Sequence, residues 1–585
     1  MKWPLRIIKS AKSVTNDLIE KTTKLKGLVS KYDSSEFLKH IATILIQIGQ
    51  RESNPMFKDL MSPMRQLFYL ASLNLESINV GTAADFSREE WGEMTTLLRD
   101  IEAEYFLTIG FGKERAPIAD HDKVGAVLST FMNYYFNGPL GYLEQQIEKI
   151  ERVFGQFREP IKQNLGLELG DFVSLYDFLT DAINENLTYP PRLLASSEWQ
   201  KFTSAAVAKG LTDPMDWIDE SPIEVHDAMD FMRNPGRMFV IDLTKLNKEE
   251  EFVYRLRTYM NLICCERSPK EEITFYTEEV LLLNRPIFKV SNDVYLIFYQ
   301  KQLLHATYSL LFRFCRRLDE TTALKARDCF LEDKVEELFK KSFGGNAFVY
   351  RNYSVDGHSE QDLLVLHRGL ALIVEIKAGG YRGPMRDPLK AYEKLQSDFK
   401  KIIQLAYDQT SRVKTRFMAN ETFDLLNLNG NKLYEINPRK FHHVFSIVVT
   451  WETFGMIQSD LEKMLTLNPD DEFPWAVGVD DLEAFLLMLA RGKSLIQRLT
   501  TFLEYRELFH GHLICGDELE LCGLFLVNQK MFVENSQSEH IICTWPDLTN
   551  PFEAAYRSGL GLRNERNYEA KRNGDVRFLF DDPKT

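Results

Sequence analysis

The chain has 585 residues, 44% hydrophobic and 27% charged, with a formal net charge of −14. That balance is ordinary for a globular protein with room for roughly two to four domains. It argues against a protein that coats nucleic acid non-specifically, although a local basic groove would still serve an enzyme that cuts it. No segment has 18 uninterrupted apolar residues, so neither a transmembrane helix nor a membrane partner is expected. The first twelve residues are cationic but lack a long apolar core and a clear cleavage site, so no signal peptide is expected. The seven cysteines are scattered with no C-x-x-C, the pattern of a reduced, cytoplasmic protein.

Residues 1–236 read as a large, mainly α-helical region. Phe37, Leu38, Ile41, Leu45 and Ile48 follow helical spacing, as do Leu143, Ile147, Ile150, Val153 and Phe154. Breaks are expected at Tyr189–Arg192 and Asn234–Gly236, where prolines fall. No phosphate-binding loop occurs, so nothing suggests an ATPase motor. Residues 237–325 read as a mixed α/β connecting region, with strands at Arg237–Asp242, Pro286–Val290 and Val294–Phe298 and a helix over Leu303–Leu318. Cys329–Gly344 predicts an amphipathic helix with Leu331, Val335, Leu338, Phe339 and Ser342 along its buried stripe, stopped by Gly344-Gly345.

The most informative stretch is Glu360–Lys377. Two runs rich in Leu, Val and Ile flank Arg368-Gly369, which reads as two short buried strands joined by a two-residue turn. With that turn at the centre, Leu366 faces Ala371, and four residues further out Asp362 faces Glu375, with side chains about 5 Å apart on one face. Lys377 shares that face because strand side chains alternate. Two carboxylates so close repel unless a cation neutralises them. Oxygen ligands of this kind suit Mg²⁺ or Mn²⁺, which take one or two protein carboxylates together with water and phosphate. A metal there could polarise a phosphodiester while the lysine orients a water. The plainer alternative is a surface hairpin rimmed by a Glu–Lys pair.

Asp362…Glu375-Ile376-Lys377 resembles the core of the PD-(D/E)XK, or restriction-endonuclease-like, nuclease superfamily, and DLLVLHRGLALIVEIKAGG (362–380) is most similar to its Mrr-type and NERD-type branches. The proline that nominally precedes the aspartate is replaced by Gln361. The resemblance covers roughly residues 328–450 and implies an αβββαβ core whose first helix carries a glutamate and whose second carries a Gln or Lys. Glu332, at the edge of the first helix's stripe, is the expected third metal ligand beside Asp362 and Glu375, with Glu336 in reserve and Glu337 further out. Downstream, Lys394–Val413 predicts a helix with Leu395, Phe399, Ile402, Ile403 and Ala406 on its core face. At 100° per residue Gln409 falls near that face, fitting the family's supporting polar residue, and Gln404 points to solvent. A buried glutamine could equally satisfy backbone groups. Phe441–Thr450 is the expected closing strand.

Between Lys377 and that helix lies a loop punctuated by glycines and prolines. From Lys377 to Arg416 there are ten Lys/Arg against four Asp/Glu. Arg382, Arg386, Lys390, Lys400 and Lys401 are therefore the expected phosphate-backbone contacts, with a solubilising helix face as the alternative. Tyr381 and Tyr407 could stack on bases or simply pack. Residues 454–585 read as mainly α-helical, including Leu482–Leu489 and Leu495–Leu508, with a charged tail. His510, His512, Cys515 and Cys522 are zinc-type ligands, but their spacing matches no standard finger, and Asp517–Phe525 reads as a helix with Cys522 in its core.

The expected molecule is thus a multidomain α/β protein: helical 1–236, mixed 237–325, a restriction-endonuclease-like αβββαβ core over 326–453, and helical 454–585. Its expected activity is that of a Mg²⁺- or Mn²⁺-dependent endonuclease acting on nucleic acid, DNA ahead of RNA. A restriction or antiphage-defence setting follows from the resemblance, with the flanking regions available for homo-oligomerisation or a regulatory protein partner. The competing expectation is a non-catalytic nucleic-acid-binding or scaffolding protein carrying a vestigial nuclease fold.

Overall fold

Helical periodicity and short apolar runs fold as mixed α/β structure, analysed in a computed structural model that describes residues 11–50, 54–111, 121–136, 141–211, 234–357, 359–380 and 388–566. Two compact units divide the chain. The first gathers residues up to 105 and 154–318, and the second gathers 106–153 and 319–575. This differs from the four expected regions: 106–153 belongs with the C-terminal half, and the connecting region folds with the N-terminal helices.

In the first unit, Phe37, Leu38, Ile41 and Leu45 are buried on helix Ser34–Leu45, which starts where the Asp33 side chain accepts a bond from the Glu36 N–H at 3.1 Å. A helix over Leu169–Leu194 runs on through Pro190-Pro191, in place of the expected break. At the second expected break Pro235 opens a 3₁₀ turn, and the residues just before Asn234 lie outside the described residues. Four short strands, Val240–Asp242, Cys264–Cys265, Ile287–Lys289 and Val294–Ile297, form one small sheet followed by helix Gln300–Leu318.

The second unit is built on one seven-stranded sheet. Its elements include, in chain order, α1 (Leu143–Val153), α2 (Glu320–Phe343), β1 (Phe348–Ser354), β2 (Gln361–His367), β3 (Leu370–Lys377), α3 (Pro388–Phe399), α4 (Leu405–Met418), β4 (Phe423–Asn427), β5 (Lys432–Ile436), β6 (His443–Thr450), β7 (Trp475–Gly478), α5 (Val479–Arg491), α6 (Leu495–Arg506) and α7 (Glu518–Val527). The strand order is β7-β6-β3-β2-β1-β4-β5. β1, β2 and β3 are antiparallel, whereas β3–β6 and β6–β7 pair in parallel. The hairpin β4–β5 and the strand β7 both lengthen the sheet beyond the sequence expectation, so the segment after 453 is not only helical.

β2 and β3 read as nearly continuous apolar runs because both of their faces are covered. Leu331, Val335, Leu338 and Phe339 of α2 pack on Leu363, Val365, Leu372 and Val374. On the other face Val413 and Phe417 of α4 meet Leu364, Leu366, Ala371 and Ile373. Phe343, rather than the half-buried Ser342, completes the α2 stripe.

α1 is joined to α2 and α5 by a buried ionic cluster. Lys334 Nζ lies 2.6 Å from Glu148 Oε2 and 2.5 Å from Glu483 Oε1. Gln145 donates to Glu483 at 2.9 Å, and Lys149 reaches Asp480 at 2.5 Å. Burial pulls the Lys334 ammonium down, but Glu483 and Glu148 outweigh it and hold it above its ordinary value. Truncating the lysine leaves the buried Glu483 without a counter-ion and Glu148 with only Arg152 and Arg563 on its other oxygen, so Lys334→Ala is expected to destabilise this unit by roughly 3–5 kcal/mol. Urea unfolding of wild type and variant measures this; a loss well under one kcal/mol would mean that the cluster is solvated.

Candidate active site

The turn between β2 and β3 places Arg368 at φ 41° and Gly369 at φ 88°, both left-handed, as a two-residue type I′ hairpin requires. It sets Leu366 opposite Ala371, the register expected from the sequence, and the ladder runs to Leu363 opposite Val374. At the next position, Asp362 and Glu375, side chains take over from backbone. The Asp362 N–H donates to Glu375 Oε1 at 3.2 Å, and the Ile376 N–H donates to Asp362 Oδ2 at 2.7 Å. Lys377, at the end of β3, holds Nζ 2.8 Å from Glu375 Oε2 and 3.2 Å from Asp362 Oδ2.

The three side chains differ in burial. Glu375 is fully enclosed, whereas Asp362 and Lys377 are 19% and 18% exposed. Burial, then the charge of Asp362, pushes the Glu375 carboxyl up to about 8, against the downward pull of Lys377. Burial lowers the Lys377 ammonium, but Glu375 and Asp362 outweigh it and hold it above its ordinary value. Tyr353 of β1 is buried beside this pair, its phenol pushed up by burial and then by Glu375 and Asp362, and its Oη has no hydrogen-bond partner. The buried Gln361 side chain likewise has neither polar atom paired.

Asp362 and Lys377 line a cleft of about 440 Å³. Asp328 and Glu332 of α2 form one wall, and Asp398 of α3 with Lys401 and Ile402 form another. Gly379 and Gly380 make the floor possible: a Cβ at Gly379 would come within 2.9 Å of Ile402, and one at Gly380 within 2.6 Å of the Glu452 carboxylate.

Glu332 therefore faces the cleft, but its Oε2 accepts from Arg351 at 2.7 Å. Arg351 also pairs with Asp333 and Glu336, which ties the reserve residue Glu336 to the same guanidinium. Lys401 is in the cleft wall and Lys400 is exposed beside it. Arg382, Arg386 and Tyr381 lie outside the described residues, as does the side chain of Lys390. Tyr407 is a packing residue, buried and donating to Asp471 Oδ2 at 2.8 Å.

A π-helical turn, Lys400–Gln404, separates α3 from α4. Its extra residue breaks the 100° projection carried through from Leu395. Gln404 consequently does not point to solvent: it is half-buried and bridges to the Thr466 backbone at 2.9 and 3.0 Å. Gln409 is half-buried, its Nε2 lies 3.4 Å from the Glu360 carbonyl, and its Oε1 has no partner. It sits near the start of β2 and does not line the cleft. The sequence reading missed Asp328 and Asp398; Asp328 could have been found one helical turn before Glu332.

Hard carboxylate oxygens beside a roomy polar cleft, with orphaned polar groups beneath, fit Mg²⁺ or Mn²⁺. Among the described residues no three His, Cys, Asp or Glu side chains form a ready-made metal cage. A bound ion would therefore rely on few protein ligands together with water. The zinc-type cluster is not assembled. His510 Nδ1 accepts from the Leu461 N–H at 3.0 Å, and burial pushes its imidazole down to about 4. Cys515 Sγ donates to the Asp517 carbonyl at 3.0 Å, and Cys522 is part of an apolar core.

Comparisons with family models, with curated proteins and with solved structures each found no match to this chain.

Glu375 supplies a test of the electrostatics. Its carboxyl takes a proton at about 8 in the fold, against 4.5 for an ordinary glutamate in water. Its contribution to stability is complete below the lower value and is lost as pH rises through the higher one. Without metal, Glu375→Gln is expected to gain on wild type by several kcal/mol, at most roughly 5, across that window. Urea unfolding in chelator at both ends of the window reads the difference; parallel profiles would show that Glu375 is not raised.

Proposed function

We propose that the second unit is a divalent-metal-dependent nuclease of the PD-(D/E)XK kind, acting most readily on DNA as an endonuclease. The observation that carries this reading is the convergence of Asp362, Glu375 and Lys377 beside one cleft, with a single ammonium shared between two carboxyl groups, one of them fully buried. Such a pair has room for a stronger cation. The order α2-β1-β2-β3-α3/α4-β6 agrees with the αβββαβ core, with β4–β5 inserted.

In this reading Asp362 and Glu375 would hold Mg²⁺ or Mn²⁺ together with water, and Glu332, across the cleft, would have to leave Arg351 to join them. The ion would supply positive charge against the phosphoryl oxygens and lower the pKa of water. Lys377 orients the attacking water and offsets charge that develops on the phosphate. Lys401 faces the same space and binds the backbone phosphate electrostatically, with Lys400 beside it. Tyr353 and Gln361 support the buried end of the pair. A restriction or antiphage-defence role belongs to the same proposal.

The non-catalytic alternative has one observation in its favour: the Lys377 bridge already links both carboxylates as a structural triad would. Cleavage separates the two. Full-length protein with Mg²⁺ or Mn²⁺ is expected to nick and linearise supercoiled plasmid, and Lys377→Ala to lower the rate by about 100-fold or more. RNA and linear DNA in parallel define the substrate. Cutting that survives both chelation and Lys377→Ala would defeat this assignment.

A further inference from the structure

The bridge made by Lys377 has a consequence for how the site is loaded. Its Nζ touches Glu375 Oε2 and Asp362 Oδ2 together, at 2.8 and 3.2 Å. Glu375 Oε1 receives the Asp362 N–H, and Asp362 Oδ2 also receives the Ile376 N–H. The carboxylates are thereby fixed on β2 and β3, and the ammonium lies in the gap that a cation would have to enter to touch both. A divalent ion and an ammonium cannot share that gap, because like charges a few ångström apart repel strongly inside a protein.

We propose that Lys377 is a displaceable counter-cation: in the metal-free protein it fills the divalent-cation position between Asp362 and Glu375, and metal binding expels its ammonium into the cleft. This rests on the reading that the carboxylate pair holds metal. The geometry provides the exit, because Lys377 lines the cleft and a lysine has a flexible four-carbon stem. The bound ammonium stabilises two carboxylates that would otherwise face each other unneutralised, and it weakens the site for metal by the same interaction. Removing the charge should therefore act in opposite directions, abolishing cleavage while tightening metal binding. A lysine that only orients water would not produce that inversion.

The test is calorimetric titration of Mn²⁺ into full-length wild type, Lys377→Met and Asp362→Asn, with folding checked by circular dichroism. Lys377→Met keeps the length of the stem and removes the charge. It is expected to bind Mn²⁺ about tenfold more tightly than wild type, or better, whereas Asp362→Asn binds more weakly. A second measurement needs no variant: the rate at which an amine-acylating reagent modifies Lys377 in wild type, located by mass spectrometry, should rise several-fold with saturating Ca²⁺ or Mn²⁺. If wild type binds Mn²⁺ but folded Lys377→Met binds no tighter, or if metal leaves Lys377 acylation unchanged, the counter-cation role is overturned and the metal site stands. If neither wild type nor Lys377→Met binds Mn²⁺, the metal-site reading is overturned, and the counter-cation role with it.

Discussion

Where β2 and β3 part, the last rung between them is made by side chains, and the site depends on that substitution. Each of the two acids grips the neighbouring strand's backbone: Glu375 takes the Asp362 N–H, and Asp362 takes the Ile376 N–H. A carboxylate that accepts backbone N–H groups is oriented as firmly as the strand itself. The separation and direction of the pair are thus properties of the sheet. They follow from the type I′ turn at Arg368-Gly369, because a slip of one residue would send both acids to the α2 face.

Enclosing Glu375 completely is unfavourable for its charge. The cost is offset in part by the Asp362 N–H and the Lys377 ammonium on its two oxygens, and the acids begin where the apolar packing of Leu364, Leu366, Ala371 and Ile373 under α4 ends. β6 runs parallel beside β3 as far as Lys377, and the Trp451 N–H bonds to the Lys377 carbonyl at 3.1 Å. The ammonium is consequently tethered to a paired strand, with freedom only in its stem.

The hairpin was legible in the sequence because its turn, its period and its polar tip agree in one short stretch. Glu332 was found from its helix stripe and the resemblance, but its bond to Arg351 was not foreseeable, since Arg351 comes from another strand. The phase beyond Phe399 was misread at Gln404 because nothing in Lys400–Gln404 announces a π turn; it is stabilised by tertiary contacts such as the Thr466 bridge. β7 escaped notice because four residues, Trp475–Gly478, are too short for a periodic signal, and their strand character comes from pairing with β6. The insertion of α1 into the second unit depends on charges that look like a solvated helix face until Lys334 and Glu483 are placed against them.

The pairing of β7 with β6 also bears on where this protein can be divided. Ile447–Thr450 is matched residue by residue with Trp475–Gly478, and Val448, Val449 and Ala476 are buried. A fragment ending near residue 453 would keep every residue of the motif and still bare the flank of β6, a row of open backbone groups beside large apolar side chains. Such an edge templates association with other chains. The smallest autonomous piece of this protein is accordingly larger than its motif, because the strand that seals the sheet is encoded some twenty-five residues beyond β6.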